Sequence, residues 1–366
     1  MRIVIDARLY GVEHRGLGRY LVELINSLSN LDRQTDYVLL VDPRNSSQPT
    51  GLPKNFSLAM APWRVYSWQE QCLLPWLLWK LKPDLVHFPH FTVPLLCPWP
   101  FVVTIHDLIL HHFASERATT LPRPLYWLKV ALYHWVVAWA VWRARLIITV
   151  SQTVGQEIKK FYKVAAAKIS VIPLAPRTAA QPAKLDLPSN YILAVGAAYP
   201  HKNLSRLLKV FARLNQQLPS LNLIIVGKSD SFMLNLEAEA AKLNLAGVVK
   251  FWGQASEAEL TSLYRQATVY VLPSLIEGFG LGPLEALKQG TAVLAADIPV
   301  LREILGQAAW YANPYDEDDI YQQLKTLVSD SNLRASRRAN GQIVVEAYSW
   351  DKAGQQTLKS YLTTVH

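Results

Sequence analysis

The chain has 366 residues, 51% hydrophobic and 18% charged, with 22 prolines and only two cysteines, Cys72 and Cys97. That composition buries enough apolar surface to exclude disorder, and two cysteines exclude a disulfide scaffold and fit a reducing, cytoplasmic compartment. At roughly 150 residues per domain the length suggests two domains, and the opening Met1 to Asp6 meets a charge too early for a signal peptide. The net charge of +9 is uneven: residues 1–173 hold 19 Lys/Arg, 11 Asp/Glu and nine of the twelve tryptophans, whereas residues 174–366 hold 18 and 17. The longest basic runs are pairs, Lys159-Lys160 and Arg337-Arg338, which disfavours nucleic acid and favours an anionic membrane surface or an acidic ligand.

In chain order, continuous apolar runs predict strands at 2–5, 37–41, 85–88, 101–105 and 146–150, with helical periodicity near 18–29, 67–80, 125–143 and 152–161. Runs of this kind, with little alternation, read as parallel strands buried on both faces. Segment 173–190 is rich in Pro and Ala without a periodic face and reads as a linker. The alternation then restarts, with strands at 191–195, 221–226, 248–251, 269–272 and 292–295. Helices fit 203–215, 232–243, 256–266, 282–289, 316–328, 331–346 and 351–363. Repeated β-α-β order gives α/β architecture: two Rossmann-like, doubly wound parallel-sheet domains, 1–173 and 174–348. Segment 125–142 is mostly apolar but carries Lys129 and His134 between Arg123 and Arg143. It reads as a buried or domain-edge helix, or as an interfacial one, rather than as a membrane span.

The strongest chemical signal follows the strand at 269–272. Gly278, Gly280 and Gly282 leave backbone N–H groups uncovered in a loop that enters a helix, with Pro283 suited to the first helical position. Such a loop seats phosphate or sugar oxygens. Glu277 lies in the loop and Glu285 is expected in the first helical turn, where the helix dipole favours its charge. Carboxylates there accept hydrogen bonds from sugar hydroxyls. Other signals are weaker alone: Lys202 after the strand at 191–195, the loop Arg15-Gly16-Leu17-Gly18-Arg19, and His106 at the end of the strand at 101–105. Strand ends of this kind carry ligands in open α/β sheets. His87, His90, His111 and His112 raise the thought of a metal, but no ligand pattern supports one. Ser151 lies at the cleft or caps a helix.

Glu277, Phe279-Gly280 and Glu285 together closely resemble the hallmark of the group 1 glycosyltransferases, retaining nucleotide-sugar enzymes of the GT-B architecture. The resemblance implies two domains facing a cleft, with the acceptor on the first and the nucleoside diphosphate sugar on the second. It implies that Glu285 binds the ribose, Glu277 lies at the donor sugar, and the amides of Phe279, Gly280 and Leu281 meet sugar and diphosphate. Lys202 would neutralise the diphosphate, Gly16 and Gly18 would lie over it, and His106 would touch the donor sugar. Many members carry an Arg where Ala197 stands here. The resemblance implies no metal or other cofactor, inclines the donor toward GDP-mannose, and makes the acceptor a glycan or lipid-linked hydroxyl. It also sends the tail, 349–366, back onto the first domain. The rival reading is a catalytically silent sugar-nucleotide-binding protein. A nicotinamide enzyme is disfavoured, because neither half has the dinucleotide glycine fingerprint after its first strand.

Overall fold

The computed structural model describes all residues except 12, 13, 66, 114–121 and 366. The first half runs β1 (Arg2–Asp6), α1 (Arg15–Leu31), β2 (Asp36–Val41), β3 (Phe56–Met60), α2 (Trp68–Leu81), β4 (Leu85–Phe88), β5 (Phe101–Ile105) and α3 (Ile109–His112). It continues with α4 (Arg123–Arg143), β6 (Leu146–Thr149), α5 (Gln152–Tyr162) and β7 (Ile169–Val171). The second runs β8 (Tyr191–Val195), α6 (Leu204–Gln217), β9 (Asn222–Val226), α7 (Ser231–Lys242), β10 (Val249–Gly253), α8 (Glu257–Gln266), β11 (Val269–Leu272) and α9 (Leu281–Lys288). After these come β12 (Ala292–Ala296), α10 (Pro299–Leu305), β13 (Trp310–Ala312), α11 (Glu317–Ser329), α12 (Ser331–Ser336), α13 (Arg338–Ala347) and α14 (Trp350–Val365).

The strands form a seven-stranded sheet, β3-β2-β1-β4-β5-β6-β7, and a six-stranded one, β10-β9-β8-β11-β12-β13. Every pairing is parallel, for example Val4 opposite Val38 and Val269 opposite Ala292. Two compact units result, parting between Leu174 and Ala175, with the chain from Ser349 counted in the first. No helix or strand forms between Val171 and Tyr191. Instead Ala183 bonds through its N–H to Ala258 and through its carbonyl to the Ser262 hydroxyl, which ties this run to α8.

Both faces of each sheet are covered. In the first unit Leu74 and Leu78 of α2, Val137 and Val141 of α4, and Val154 and Ile158 of α5 pack on Val4, Val86, Val103 and Ile147. On the opposite face α1 buries Leu21, Leu24, Ile25 and Leu28, spaced i, i+3, i+4, i+7. There α14 packs along α1, the Ser27 hydroxyl donating to Trp350 O at 2.9 Å. In the second unit α6, α7 and α11 cover one face around Phe211, Ile225 and Leu324.

The elements that the sequence did not predict are short and marginal. Strands β3, β7 and β13 lie at sheet edges or are only half-buried, and α3 and α10 span four and seven residues. The single helix expected over 331–346 is two, α12 and α13. It breaks at Arg337, whose guanidinium reaches back to Ala309 O and lies over the Trp310 ring. Among the described residues no helix is long and apolar enough to cross a membrane.

Candidate active site

In the second unit β11 ends at Leu272, and the chain from Pro273 to Gly280 forms an irregular loop before α9. Two neighbours fix that loop. The Leu275 N–H donates to His201 O at 2.8 Å. Asn203, in the left-handed region at φ 60°, donates its amide to Pro273 O at 3.0 Å and Pro314 O at 2.8 Å. The short turn Pro200–Lys202 is thereby clamped against the loop, and the Lys202 Nζ donates to Glu277 Oε1 at 2.6 Å. The Glu277 side chain is only 9% exposed and that of Lys202 23%, so this pair is shielded from screening by solvent. Beside it burial pushes the His201 imidazole down to about 4; Lys202 lowers it further and Glu277 opposes. His201 is therefore neutral at physiological pH.

Helix α9 starts two residues earlier than its Pro suggests. Gly280 is the N-cap at φ 98°, a conformation open to glycine, and a Cβ there would lie 2.7 Å from Leu301 Cδ2. Pro283 is then the third helical residue, which is tolerated because that N–H is also unpaired in a helix. Glu285 consequently lies beyond the first turn, where the dipole has largely faded. It is held instead by a side chain, the Tyr264 hydroxyl donating to its Oε2 at 3.2 Å. Gly282 serves packing as well as exposing its N–H: a Cβ there would overlap the Tyr270 hydroxyl. Phe279 is buried, its ring edge-on to Tyr348 with centroids 5.6 Å apart.

In the first unit the segment 15–19 is not a loop but the opening of α1. Gly18 is buried there because a Cβ would collide with the carbonyls of Gly11 and Leu9, so the chain after β1 can lie against the helix. Gly16 is exposed with open space around its Cα. His14 caps the helix without a side-chain hydrogen bond. His106 follows β5. Its Nε2 lies 3.1 Å from Pro89 O and its ring packs edge-on to Tyr20, centroids 4.8 Å apart. A carbonyl only accepts, so Nε2 carries the proton and Nδ1 keeps its lone pair. Burial pushes this imidazole down to about 4.

The other histidines go their separate ways. His87 is fully buried between the Tyr361 hydroxyl (2.6 Å) and Thr104 Oγ1 (2.8 Å). His111 bridges Tyr133 and Tyr162, and His112 meets Glu157 at 3.0 Å. Among the described residues no three His, Cys, Asp or Glu side chains form a metal-holding group. Ser151 caps α5, accepting from the Val154 N–H at 3.2 Å.

Residues 177–344 match the family model of glycosyl transferases group 1, and residues 14–175 match that of glycosyltransferase family 4. The chain is 33% identical to the O-antigen chain mannosyltransferase RfbU of Salmonella typhimurium over 72% of its own length and 70% of that protein's. It belongs to the group 1 glycosyltransferases. O-antigen chain mannosyltransferase B of Escherichia coli is 28% identical over 99% of both chains. Sucrose-phosphate synthase from Thermosynechococcus elongatus superposes with a TM-score of 0.80 at 18% identity, covering 99% of this chain and 98% of that one. The fold is GT-B.

For this glycosyltransferase the second unit gathers Lys202, Glu277, Gly278, Phe279, Gly280, Leu281 and Glu285 around the loop and the start of α9. His106, Gly16 and Gly18 belong to the first unit. Sequence reasoning missed Tyr264, Tyr270 and Leu301, which shape the loop and hold Glu285. It also missed Asn203, which clamps the Lys202 turn. An asparagine directly before a helix was the one legible signal, since Asn tolerates positive φ and favours caps.

Proposed function

We propose that the enzyme transfers mannose from GDP-mannose, with retention and without a metal, to a hydroxyl of a glycan or lipid-linked acceptor at an anionic membrane surface. The observation that carries this reading is the shielded Lys202–Glu277 pair beside the glycine-built N-terminus of α9. It is a cation and the backbone amides of a helix start, next to carboxylates, matched to a diphosphate joined to a sugar. The mannosyl choice is supported by the two curated relatives, both mannosyltransferases of O-antigen chains.

In this reading the donor sits on the second unit, with Glu285 on the ribose and the Phe279, Gly280 and Leu281 amides on sugar and diphosphate. Lys202 leaves Glu277 for the diphosphate and stabilises the charge that grows as it departs. Glu277 is freed to hold sugar hydroxyls. The acceptor, on the first unit, attacks from the side of the leaving group, and a departing phosphate oxygen takes its proton. Neutral His106 offers the Nδ1 lone pair to a donor hydroxyl, so its contribution is positioning through a hydrogen bond.

The test is a thermal-shift panel of GDP-mannose, UDP-glucose and ADP-glucose followed by transfer assays with and without EDTA. GDP-mannose should raise Tm most, and EDTA should leave turnover unchanged. Glu285→Ala should raise the donor KM roughly tenfold or more by leaving ribose hydroxyls unpaired. Lys202→Met should lower kcat by about 10²-fold. A UDP-sugar preference, or activity that EDTA removes and a divalent ion restores, would overturn the assignment.

A further inference from the structure

Half of the twenty large hydrophobic residues exposed among the described residues lie on α2 and α4, and all six exposed tryptophans are there. The two helices share one face of the seven-stranded sheet, each burying a narrow stripe in the same core. The loop between β4 and β5 joins them: the Leu95 N–H donates to Gln71 of α2, and Arg143 of α4 reaches Cys97 O at 3.5 Å. Leu96, at its tip, is 77% exposed.

On α4 the outward residues Leu125, Leu128, Leu132, Trp135, Trp139 and Trp142 recur every three or four positions, making one continuous stripe along the helix. Trp135 and Trp139 stack at 6.3 Å, and Trp142 continues the row 5.8 Å further on. Trp76 and Trp79 of α2 extend the surface, with the Lys80 ammonium 3.5 Å from the Trp76 ring centre. A water-facing helix would carry polar residues here, and patches this large on a surface mark an interaction site.

Charge decides between occupants. Helix α4 contains no Asp or Glu. The one acid of α2, Glu70, is buried against Arg8. The exposed ionic side chains of both helices are therefore cations: Lys80, Arg123, Lys129 and Arg143. A second copy of the same face would set cation against cation. An anionic lipid surface complements the face instead, with tryptophans at headgroup depth and leucines below them.

We propose that the outer face of α2 and α4 is a reversible docking surface for an anionic phospholipid bilayer. This deepens the reading of a membrane-borne acceptor and rests on it for its purpose, but its physical basis is the face alone.

The probe is vesicles of phosphatidylcholine with or without phosphatidylglycerol, mixed with the whole enzyme, with sedimentation and tryptophan emission as readouts. The enzyme should sediment with the phosphatidylglycerol vesicles at low salt, release as salt rises, and show a blue-shifted emission quenched by brominated lipid. Arg123→Gln with Lys129→Gln should weaken partitioning roughly 25-fold, about fivefold for each cation. Leu132→Ser with Trp135→Ser should abolish it, while both double variants keep the wild-type Tm and rate of donor hydrolysis. No sedimentation at low salt, or variants that bind as well as wild type, would overturn the proposal. So would a wild-type dimer that Leu132→Ser with Trp135→Ser converts to a monomer. Because binding is read without turnover, its failure is distinct from a failure of the mannosyl assignment, which the donor assays report.

Discussion

The two units are built on the same plan, a parallel sheet between helices, yet they place their polar groups differently. The first buries side chains. Arg8, 1% exposed, donates to both Asp6 oxygens and to Glu70 Oε1 at 2.5 Å. Burial alone would lower the Arg8 pKa, but the two carboxylates outweigh it and hold the guanidinium firmly charged. Not far along the sheet, Tyr361, His87, Thr104 and Tyr20 form a buried hydrogen-bonded row. The second unit instead works with backbone: Gly280 and Gly282 bring amides, Leu301 and Tyr270 together at one helix start. Side-chain networks rigidify through mutual satisfaction, whereas a glycine-built loop depends on space that any Cβ would fill.

The contrast is sharpest if each design is broken at one atom group. Arg8→Ala removes the cation that two buried carboxylates share, and breaking a buried pair in this way costs about 3–5 kcal/mol. The urea midpoint should fall accordingly; an unchanged midpoint would mean that the triad contributes nothing to holding the first unit together. Gly282→Ala should cost less, about 1–3 kcal/mol, because the added methyl displaces the Tyr270 ring. Tyr270→Phe should recover part of that loss in the double variant, since the hydroxyl is the first atom met. Additive losses would show that the two residues do not meet.

The last break is read through pH. Burial pushes His87 down to about 3 and His106 to about 4, whereas an unfolded histidine titrates near 6.5. Above that value neither state carries the protons. As pH falls from about 6.5 toward 4, the unfolded chain takes up protons that the folded one refuses, so stability declines. His87→Gln should flatten that decline, as read from Tm between pH 7 and 4.5. An equal slope in the variant would assign the proton uptake elsewhere.

How much of this could be read from the sequence follows the same divide. The buried strands β1, β4, β5, β8 and β11 stood out because each is mostly apolar with little alternation, His87 and Thr104 being exceptions inside β4 and β5. The Glu277 to Glu285 segment stood out because a backbone-built site needs its glycines within a few positions. The Arg8 triad did not, because Glu70 is 62 residues from Arg8 and nothing local ties them. Helix starts were misjudged at both glycine segments for one reason. Glycine was read as loop, while Gly280 caps α9 and Gly18 sits inside α1 where only a residue without Cβ fits. Strands β3 and β7 escaped because they are short, half-exposed edge strands of five and three residues, too brief for a period-2 pattern to stand out.

The row that ends at Tyr361 also sets an order of events at the ribosome. Helix α14 belongs to the first unit, yet it is translated after the whole of the second. Until Tyr361 emerges, His87 Nδ1 lacks its partner and α1 lacks the helix that packs along it. Residues Ala175–Tyr348 already contain every strand of their own sheet by then. Domains generally complete in the order of synthesis; here the order is inverted, and the half that begins the chain is the last to close. Ribosome-bound chains with a flexible linker in place of α14, long enough to bring Tyr348 out of the exit tunnel, should therefore resist protease across the second unit while remaining cleavable in the first.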